Sequence, residues 1–109
     1  MSHIALLLAE DSPSDAQLIL ESLVRDGLPN EVHHAHDGVE GLDFLMCGGP
    51  HAGRAPEDLP RLVMLDIKLP RVDGFDVLRE LRANPRTRHL PVVMFTSSNI
   101  ERDVAQAYR

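Results

Sequence analysis

The sequence predicts a single α/β domain built on a parallel sheet. Three short apolar runs and one more polar β segment alternate along the chain with segments whose apolar residues recur at helical spacing. The chain has 109 residues, about the length of one domain. Strands that alternate with helices form parallel sheets with right-handed crossovers, so the order βαβαβαβα places helices on both faces of the sheet.

The first βα unit has the clearest local signals. Residues 4–9 are continuously apolar, as expected for a strand that is buried on both faces. Ser12 is a candidate N-cap, with Pro13 at the first helical position and Asp15 in a capping-box pattern. Apolar residues then continue at helical spacing, and Gly27 predicts the end of the helix.

The second unit is more polar and is followed by a long connection. Residues 31–36 predict a strand that is polar enough for a sheet edge, and Asp37 and Gly38 predict a turn into the next helix. The apolar stripe of that helix consists of Val39, Leu42, Leu45 and Met46. Residues 47–61 are rich in glycine and proline and predict a long surface loop.

The third unit contains a buried strand over residues 62–65, which ends at Asp66. Asp73 and Gly74 predict a turn with a glycine at positive φ. The stripe of the third helix consists of Phe75, Leu78, Leu81 and Arg82. In the fourth unit, residues 92–95 predict a strand that ends at Thr96, and residues 99–108 predict a fourth helix.

Composition and charge exclude several classes of protein. The formal net charge of -6 argues against a nucleic-acid surface, for which a basic stripe is expected. No apolar stretch approaches the roughly 18 residues of a membrane span, and acidic residues follow the start too closely for a signal peptide. Cys47 is the one cysteine, which fits a reducing compartment and allows no internal disulfide. We therefore expect a cytoplasmic domain that binds neither nucleic acid nor a membrane.

Polar residues follow three of the predicted strands where each strand ends. Glu10 and Asp11 follow the first strand, Asp66 ends the third and Thr96 ends the fourth. Parallel sheets bind ligands at these carboxyl ends, so the four residues should lie together. Like charges about 4 Å apart cost on the order of 4 kcal/mol per pair at an effective dielectric of about 20. Either one acid holds a proton or a divalent cation binds, and an all-oxygen site suits Mg²⁺.

A carboxylate beside bound Mg²⁺ can attack a phosphorus atom and form an aspartyl phosphate. Three segments match that chemistry to a family: LLLAEDS, VMLDIKLPRVDGFDVL and PVVMFTSS, which span residues 6–12, 63–78 and 91–98. In the residues, order and spacing of these three segments, the chain resembles a receiver domain of the two-component response regulators. The resemblance implies a flavodoxin-like, doubly wound parallel sheet of strand order 2-1-3-4-5.

The resemblance also implies a role for each site residue. Asp66 would be the phosphoacceptor, Asp11 and Asp66 would ligate Mg²⁺ directly, and Glu10 would act largely through water. The backbone carbonyl of Lys68 would be a further metal ligand, and Thr96 would be the switch hydroxyl that follows the phosphoryl group. The positions that tune autodephosphorylation in the family correspond to Lys68 and Ser98.

A finer likeness concerns the subgroup and the partner. The segments LAEDSPSDAQL and HDGVEGLDFL and the long glycine- and proline-rich loop resemble small regulators that pair with phytochrome-type histidine kinases. We therefore expect a sensor histidine kinase, of the phytochrome type, as the partner.

By the same resemblance, residues 1–109 are expected to be a C-terminally incomplete receiver domain. The family's fifth strand, its last helix, its phosphoryl-binding lysine and its aromatic switch residue would lie beyond Arg109. Either the chain is a fragment, or its phosphoryl chemistry is impaired. The fourth strand is apolar throughout, and an exposed apolar edge invites association. We expect a fifth strand to cover it, or a homodimer to form around the fourth helix and the missing fifth strand.

Two other functions compete with the signalling receiver. A Mg²⁺-dependent phosphohydrolase with an aspartate nucleophile usually needs a second acid two residues after that nucleophile, where this chain has Lys68. A non-phosphorylated interaction module would be expected to have lost the acids, and they are present. We therefore expect no enzyme beyond Mg²⁺-dependent self-phosphorylation and autodephosphorylation.

Two further groups of residues are interpreted without a chemical role. His33, His34 and His36 suggest a metal site, but no thiol or acid completes the set, so solvation at an edge strand is favoured. Arg79 and Arg82 are predicted to lie on a solvated helix face.

Overall fold

The computed structural model describes residues 5–27, 31–55 and 57–96. Its strands are β1 (Leu6–Ala9), β2 (Val32–Ala35), β3 (Leu62–Asp66) and β4 (Val92–Phe95). Its helices are α1 (Pro13–Arg25), α2 (Gly38–Met46) and α3 (Gly74–Ala83), with one 3₁₀ turn at Gly49–His51. The strands form one sheet of order β2-β1-β3-β4, which confirms the predicted fold class and strand order. The predicted fourth helix and Ser98 lie outside the described residues.

The sheet is parallel throughout its described part, so all strand carboxyl ends lie at one edge. Strand β1 pairs with β2 on one side and with β3 on the other, and β3 pairs with β4. Every residue of β1 is buried, as its uninterrupted apolar run predicts. The connection from β1 leads to β2 on one side, and the chain then crosses to β3 on the other. The topological switch point therefore lies between β1 and β3.

Each of the three described α-helices begins at a side-chain cap. Ser12, Asp37 and Asp73 accept hydrogen bonds from the backbone N–H three residues later, at 3.3, 2.8 and 2.9 Å. The Ser12 cap was predicted, whereas the two Asp–Gly pairs were expected to be turns. Gly38 and Gly74 are instead the first helical residues, and neither has a positive φ. The prediction of a positive φ at Gly74 is therefore wrong.

The hydrophobic core lies between the sheet and helices α2 and α3. Its buried members are Leu7, Ala9, Ala35, Phe44, Leu45, Val63, Leu65, Leu69, Val77, Leu81 and Leu90. The predicted stripe of α3 is partly wrong, because Phe75 is 54% exposed while Val77 and Leu81 are fully buried. Val77 and Leu81 are four residues apart and therefore share one helix face. No helix within the described ranges is long and apolar enough to cross a membrane.

The predicted surface loop packs against the domain through aromatic rings. It contains the 3₁₀ turn and brings His51 and Arg54 onto Phe44 of α2. The Arg54 guanidinium carbon lies 3.7 Å from the Phe44 ring centroid. His33 of β2 stacks on the same ring, with 4.0 Å between centroids and 13° between planes. Edge-strand solvation is therefore the wrong interpretation for His33.

The two arginines of α3 differ in environment. Arg82 donates from Nη1 to the carbonyls of Arg88 and Leu90, at 2.6 and 2.9 Å, and thereby fixes the connection to β4. Arg82 is exposed, as predicted, and its hydrogen bonds to the backbone are an additional role that the sequence did not indicate. Arg79 is exposed and pairs with Asp76 one turn earlier on the helix.

Burial lowers the pKa of His33 below its ordinary value of 6.5, and the neighbouring His51 lowers it further. The unfolded chain therefore binds more protons between the two pKa values, so stability rises with pH through that window. We expect the free energy of unfolding to fall on acidification from about pH 7.5 to about pH 5.5. The fall should be smaller in His33→Phe, which keeps a ring against Phe44 but cannot take up a proton.

Urea denaturation at both pH values measures this difference, with His89→Phe as the matched control because His89 is exposed. The control should retain the full pH dependence. Equal pH dependence in His33→Phe and the wild type would contradict the assignment.

Candidate functional site

Three carboxylates meet where β1 and β3 end. Glu10 and Asp11 directly follow β1, and Asp66 is the last residue of β3. One carboxylate oxygen from each residue lies within 4.8 Å of the other two. Glu10 and Asp66 are buried, whereas Asp11 is exposed. The structure thus brings together the three acids that the strand-end argument selected, and it leaves one side of the cluster open to solvent.

Backbone N–H groups orient the two buried acids. Glu10 Oε1 accepts from the Ser12 N–H at 2.9 Å, and Asp66 Oδ1 accepts from the Lys68 N–H at 3.1 Å. In both cases the chain turns immediately after the strand and directs a donor back to the carboxylate. The Glu10 N–H donates to Ala35 O at 2.9 Å, which extends the pairing of β1 with β2 by one residue.

The chemistry of this cluster suits a hard divalent cation. Three carboxylates at such short separation repel one another by about 1 to 4 kcal/mol per pair, depending on the local dielectric. A divalent cation removes this repulsion, and oxygen is the donor that Mg²⁺ prefers. The exposed side at Asp11 leaves room for water or a phosphoryl oxygen, which Mg²⁺ commonly retains as ligands.

Two further predicted site residues, Thr96 and Lys68, lie close to Asp66 in the sheet and in the chain. Asp66 is paired in register with Phe95, so Thr96 follows at the end of the neighbouring strand. The Ile67 N–H donates to Phe95 O at 2.8 Å, which continues the pairing past Asp66. Lys68 lies in the loop after β3 with an exposed side chain.

Gly74 brings α3 into direct contact with the backbone of Asp66. A Cβ atom at position 74 would lie 2.3 Å from Asp66 O, and the Gly74 N–H donates to Ile67 O at 3.0 Å. Because only a residue without Cβ allows this approach, Gly74 is required by close packing and not by its φ.

The loop after Asp66 also contacts the start of α2. The Gly38 N–H donates to Pro70 O at 3.3 Å, and a Cβ at Gly38 would lie 1.7 Å from Val72 O. Arg71, at φ 71°, places Nη1 3.3 Å from Asp37 Oδ2. Sequence reasoning missed these contacts, although the repeated Asp–Gly pair at two helix starts was a usable signal.

The histidines of β2 do not assemble a second metal site within the described residues. There, Glu10, Asp11 and Asp66 are the one group of histidine, cysteine or acidic side chains close enough to share an ion. His34 instead reaches the acidic site, with Nε2 2.7 Å from Glu10 O. The His36 ring lies beside it, 4.2 Å between centroids. Solvation at the edge is therefore the wrong interpretation for His34.

Comparison with known proteins agrees with this geometry. The family model of the response regulator receiver domain matches residues 6–109. The probable methanogenesis regulatory protein FilR2 of Methanothrix harundinacea is 38% identical over 103 residues, which are 94% of this chain and 64% of FilR2. The chain therefore spans less than two thirds of the length of that relative.

Three solved structures are similar over nearly the whole chain. The bacteriophytochrome response regulator AtBRR is 44% identical, with a TM-score of 0.79 over 99% of this chain and 76% of that one. The phosphorylated cyanobacterial phytochrome response regulator RcpA is 34% identical, with a TM-score of 0.76 over 98% of this chain and 74% of RcpA. The Mn²⁺-bound form of Rcp1, from Synechocystis, is 36% identical, with a TM-score of 0.75 and coverage of 94% and 72%. The predicted likeness to small phytochrome-associated regulators is confirmed.

Gly74→Ala tests the close packing behind the site. Alanine has the higher helix propensity, so propensity alone predicts a gain in stability. The added Cβ must instead displace α3 or the Asp66 backbone, and we expect a loss of about 1–3 kcal/mol in the free energy of unfolding.

Gly53→Ala is the control, because no heavy atom lies within 4 Å of a Cβ at that position. Urea denaturation of both variants should show a change of less than about 0.5 kcal/mol for Gly53→Ala. A similar small change for Gly74→Ala would show that the contact with Asp66 is not restrictive.

Proposed function

Because the chain belongs to the response regulator receiver domain family, we propose that it is a signalling receiver that accepts a phosphoryl group on Asp66 from a sensor histidine kinase. The observation that carries the proposal is the position of the Asp66 carboxylate. It is buried at the end of β3, beside Glu10 and Asp11 and next to the strand that leads to Thr96. The relative RcpA, solved in a phosphorylated form, supports phosphorylation as the activity.

We propose Mg²⁺ as the cofactor. Glu10, Asp11 and Asp66 fit such an ion, since they offer three oxygen ligands within 4.8 Å of one another and one solvent-exposed side. The carbonyl of Lys68 is proposed as a further ligand. The Mn²⁺-bound form of Rcp1 supports the binding of a divalent cation. When bound, the cation offsets the negative charge of the carboxylates and of the incoming phosphoryl oxygens.

In the proposed reaction, a carboxylate oxygen of Asp66 forms a bond to phosphorus as the bond from phosphorus to the donor's imidazole nitrogen breaks. The electron pair of the broken bond stays on the imidazole. The Lys68 N–H holds the Asp66 carboxylate in a fixed orientation, at 3.1 Å from Oδ1. Thr96, at the end of the neighbouring strand, is proposed to donate a hydrogen bond from its hydroxyl to an oxygen of the new phosphoryl group. Lys68 and Ser98 are proposed to tune its hydrolysis.

The site favours a receiver over the two alternatives. A phosphohydrolase with an Asp66 nucleophile would need a carboxylic acid at the position where this chain has Lys68. An interaction module without phosphorylation would have no use for three crowded carboxylates. The similarity to AtBRR and RcpA supports a phytochrome-type kinase as the phosphoryl donor. Homodimer formation around the predicted fourth helix and the family's fifth strand remains part of the proposal.

Intact-mass analysis after treatment with acetyl phosphate and Mg²⁺ tests the phosphoacceptor. We expect one phosphoryl adduct on the wild type and none on Asp66→Asn, because an amide is a poor nucleophile toward phosphorus. Asp26→Asn is the matched control, since Asp26 is an exposed aspartate at the far end of α1. It should carry the wild-type adduct.

An adduct on Asp66→Asn at the wild-type level would move the acceptor to another residue. The test is made on a form of the protein that includes the family's phosphoryl-binding lysine. Absence of any adduct from that wild type would contradict the proposed receiver function itself.

A further inference from the structure

We propose that His34 is a positioning residue for the acidic site. Its ring holds the peptide group between Glu10 and Asp11 and thereby keeps these two acids in the geometry that binds the divalent cation. The inference rests on the proposed function, because it concerns the same metal site.

The pairing of β1 with β2 ends at the backbone of Glu10, where the acids begin. Ala9 pairs with Ala35, and the Glu10 N–H still donates to Ala35 O at 2.9 Å. In a continued parallel ladder the Glu10 carbonyl would accept from the backbone two residues beyond Ala35. The chain has already left the strand there, because Asp37 is the N-cap of α2. The His34 side chain reaches the Glu10 carbonyl from the same strand.

The chemistry of this contact fixes the direction of the hydrogen bond. His34 Nε2 lies 2.7 Å from Glu10 O, and a carbonyl oxygen can only accept. Nε2 therefore carries the hydrogen and donates it. The ring thereby donates to the carbonyl of a residue whose side chain is fully buried, at the point where β2 ends.

The peptide group between Glu10 and Asp11 is planar, so a contact that fixes its carbonyl also affects the positions of both acids. The Glu10 carbonyl belongs to the peptide group that also contains the nitrogen of Asp11, and this group is rigid and leads directly to the Asp11 Cα. The Glu10 carboxylate accepts from the Ser12 N–H, one residue further along the same turn. Rotation of the peptide group would therefore displace Asp11 and disturb the contact that orients Glu10. Substitution of a residue that orients metal ligands typically weakens metal affinity, although that residue does not contact the ion.

Three substitutions separate the hydrogen bond from mere packing. His34→Phe keeps a ring of similar size but cannot donate. His34→Gln has an amide nitrogen at nearly the same reach as Nε2 and can donate to the same carbonyl. His36→Phe is the matched control, because the His36 ring contacts His34 and not the Glu10 carbonyl. Asp11→Ala provides the reference for a lost site.

Isothermal titration calorimetry with MgCl₂ measures the dissociation constant for Mg²⁺ of each variant. Each titration is made at a temperature well below the thermal unfolding midpoint of that variant. We expect His34→Phe to weaken Mg²⁺ binding about tenfold, which is the usual scale for such outer-shell residues. His34→Gln should stay within about threefold of the wild type, and His36→Phe should match it. Asp11→Ala should show no binding.

The possible results distinguish the inference from the function on which it rests. If His34→Phe binds Mg²⁺ as tightly as the wild type, even with a lower unfolding midpoint, His34 contributes only to stability. The inference is then overturned, and the proposed function is unaffected. If His34→Gln is as weak as His34→Phe, the hydrogen bond is not the cause, and the inference is again overturned. If the wild type does not bind Mg²⁺, or Asp11→Ala binds it equally well, the metal site and the inference both fall.

Discussion

Mutual repulsion among Glu10, Asp11 and Asp66 is the constraint on which the rest of this structure depends. Two buried carboxylates and one exposed carboxylate lie within 4.8 Å of one another at the ends of two adjacent strands. The fold compensates with oriented dipoles, because the N–H groups of Ser12 and Lys68 point at the buried acids. Helices α1 and α3 also begin at this edge, and helix N-termini carry partial positive charge. The remaining repulsion is what a divalent cation would relieve.

The backbone around Asp66 is held from several sides. Gly74 places the start of α3 against the Asp66 carbonyl, and Gly38 places the start of α2 against Val72. The ladder to β4 continues past Asp66 through Ile67. A new group on the Asp66 side chain would therefore meet a nearly fixed main chain. Any structural change that such a group causes would therefore involve neighbouring side chains and the end of β4, where Thr96 lies.

Local signals in the sequence predicted most of the fold and all three acids. The apolar run before Glu10 and the capping pattern at Ser12 depend on neighbouring residues, and strand-end placement then followed from parallel topology alone. The missed contacts at Gly74, Gly38 and His34 join residues that are separated along the chain. Nothing near Gly74 reveals that Asp66 O occupies the space of its Cβ, and nothing near His34 reveals the Glu10 carbonyl 24 residues earlier. Phe75 fits the helical spacing of the predicted apolar stripe, but it lies in the first turn of α3 and is exposed. Spacing alone does not show where a helix begins.

The measurement that tests this account most directly is the free energy of unfolding of the wild type and Asp66→Asn, each with and without Mg²⁺. Without divalent ions, the neutral amide should make the variant more stable than the wild type, by at least about 1 kcal/mol, because it removes repulsion with both Glu10 and Asp11. Saturating Mg²⁺ should stabilise the wild type strongly and the variant much less, since the ion binds the folded state through these carboxylates. A variant that is less stable than the wild type without divalent ions, or that gains equally from Mg²⁺, would contradict the claim that the acids are held together against their own charge.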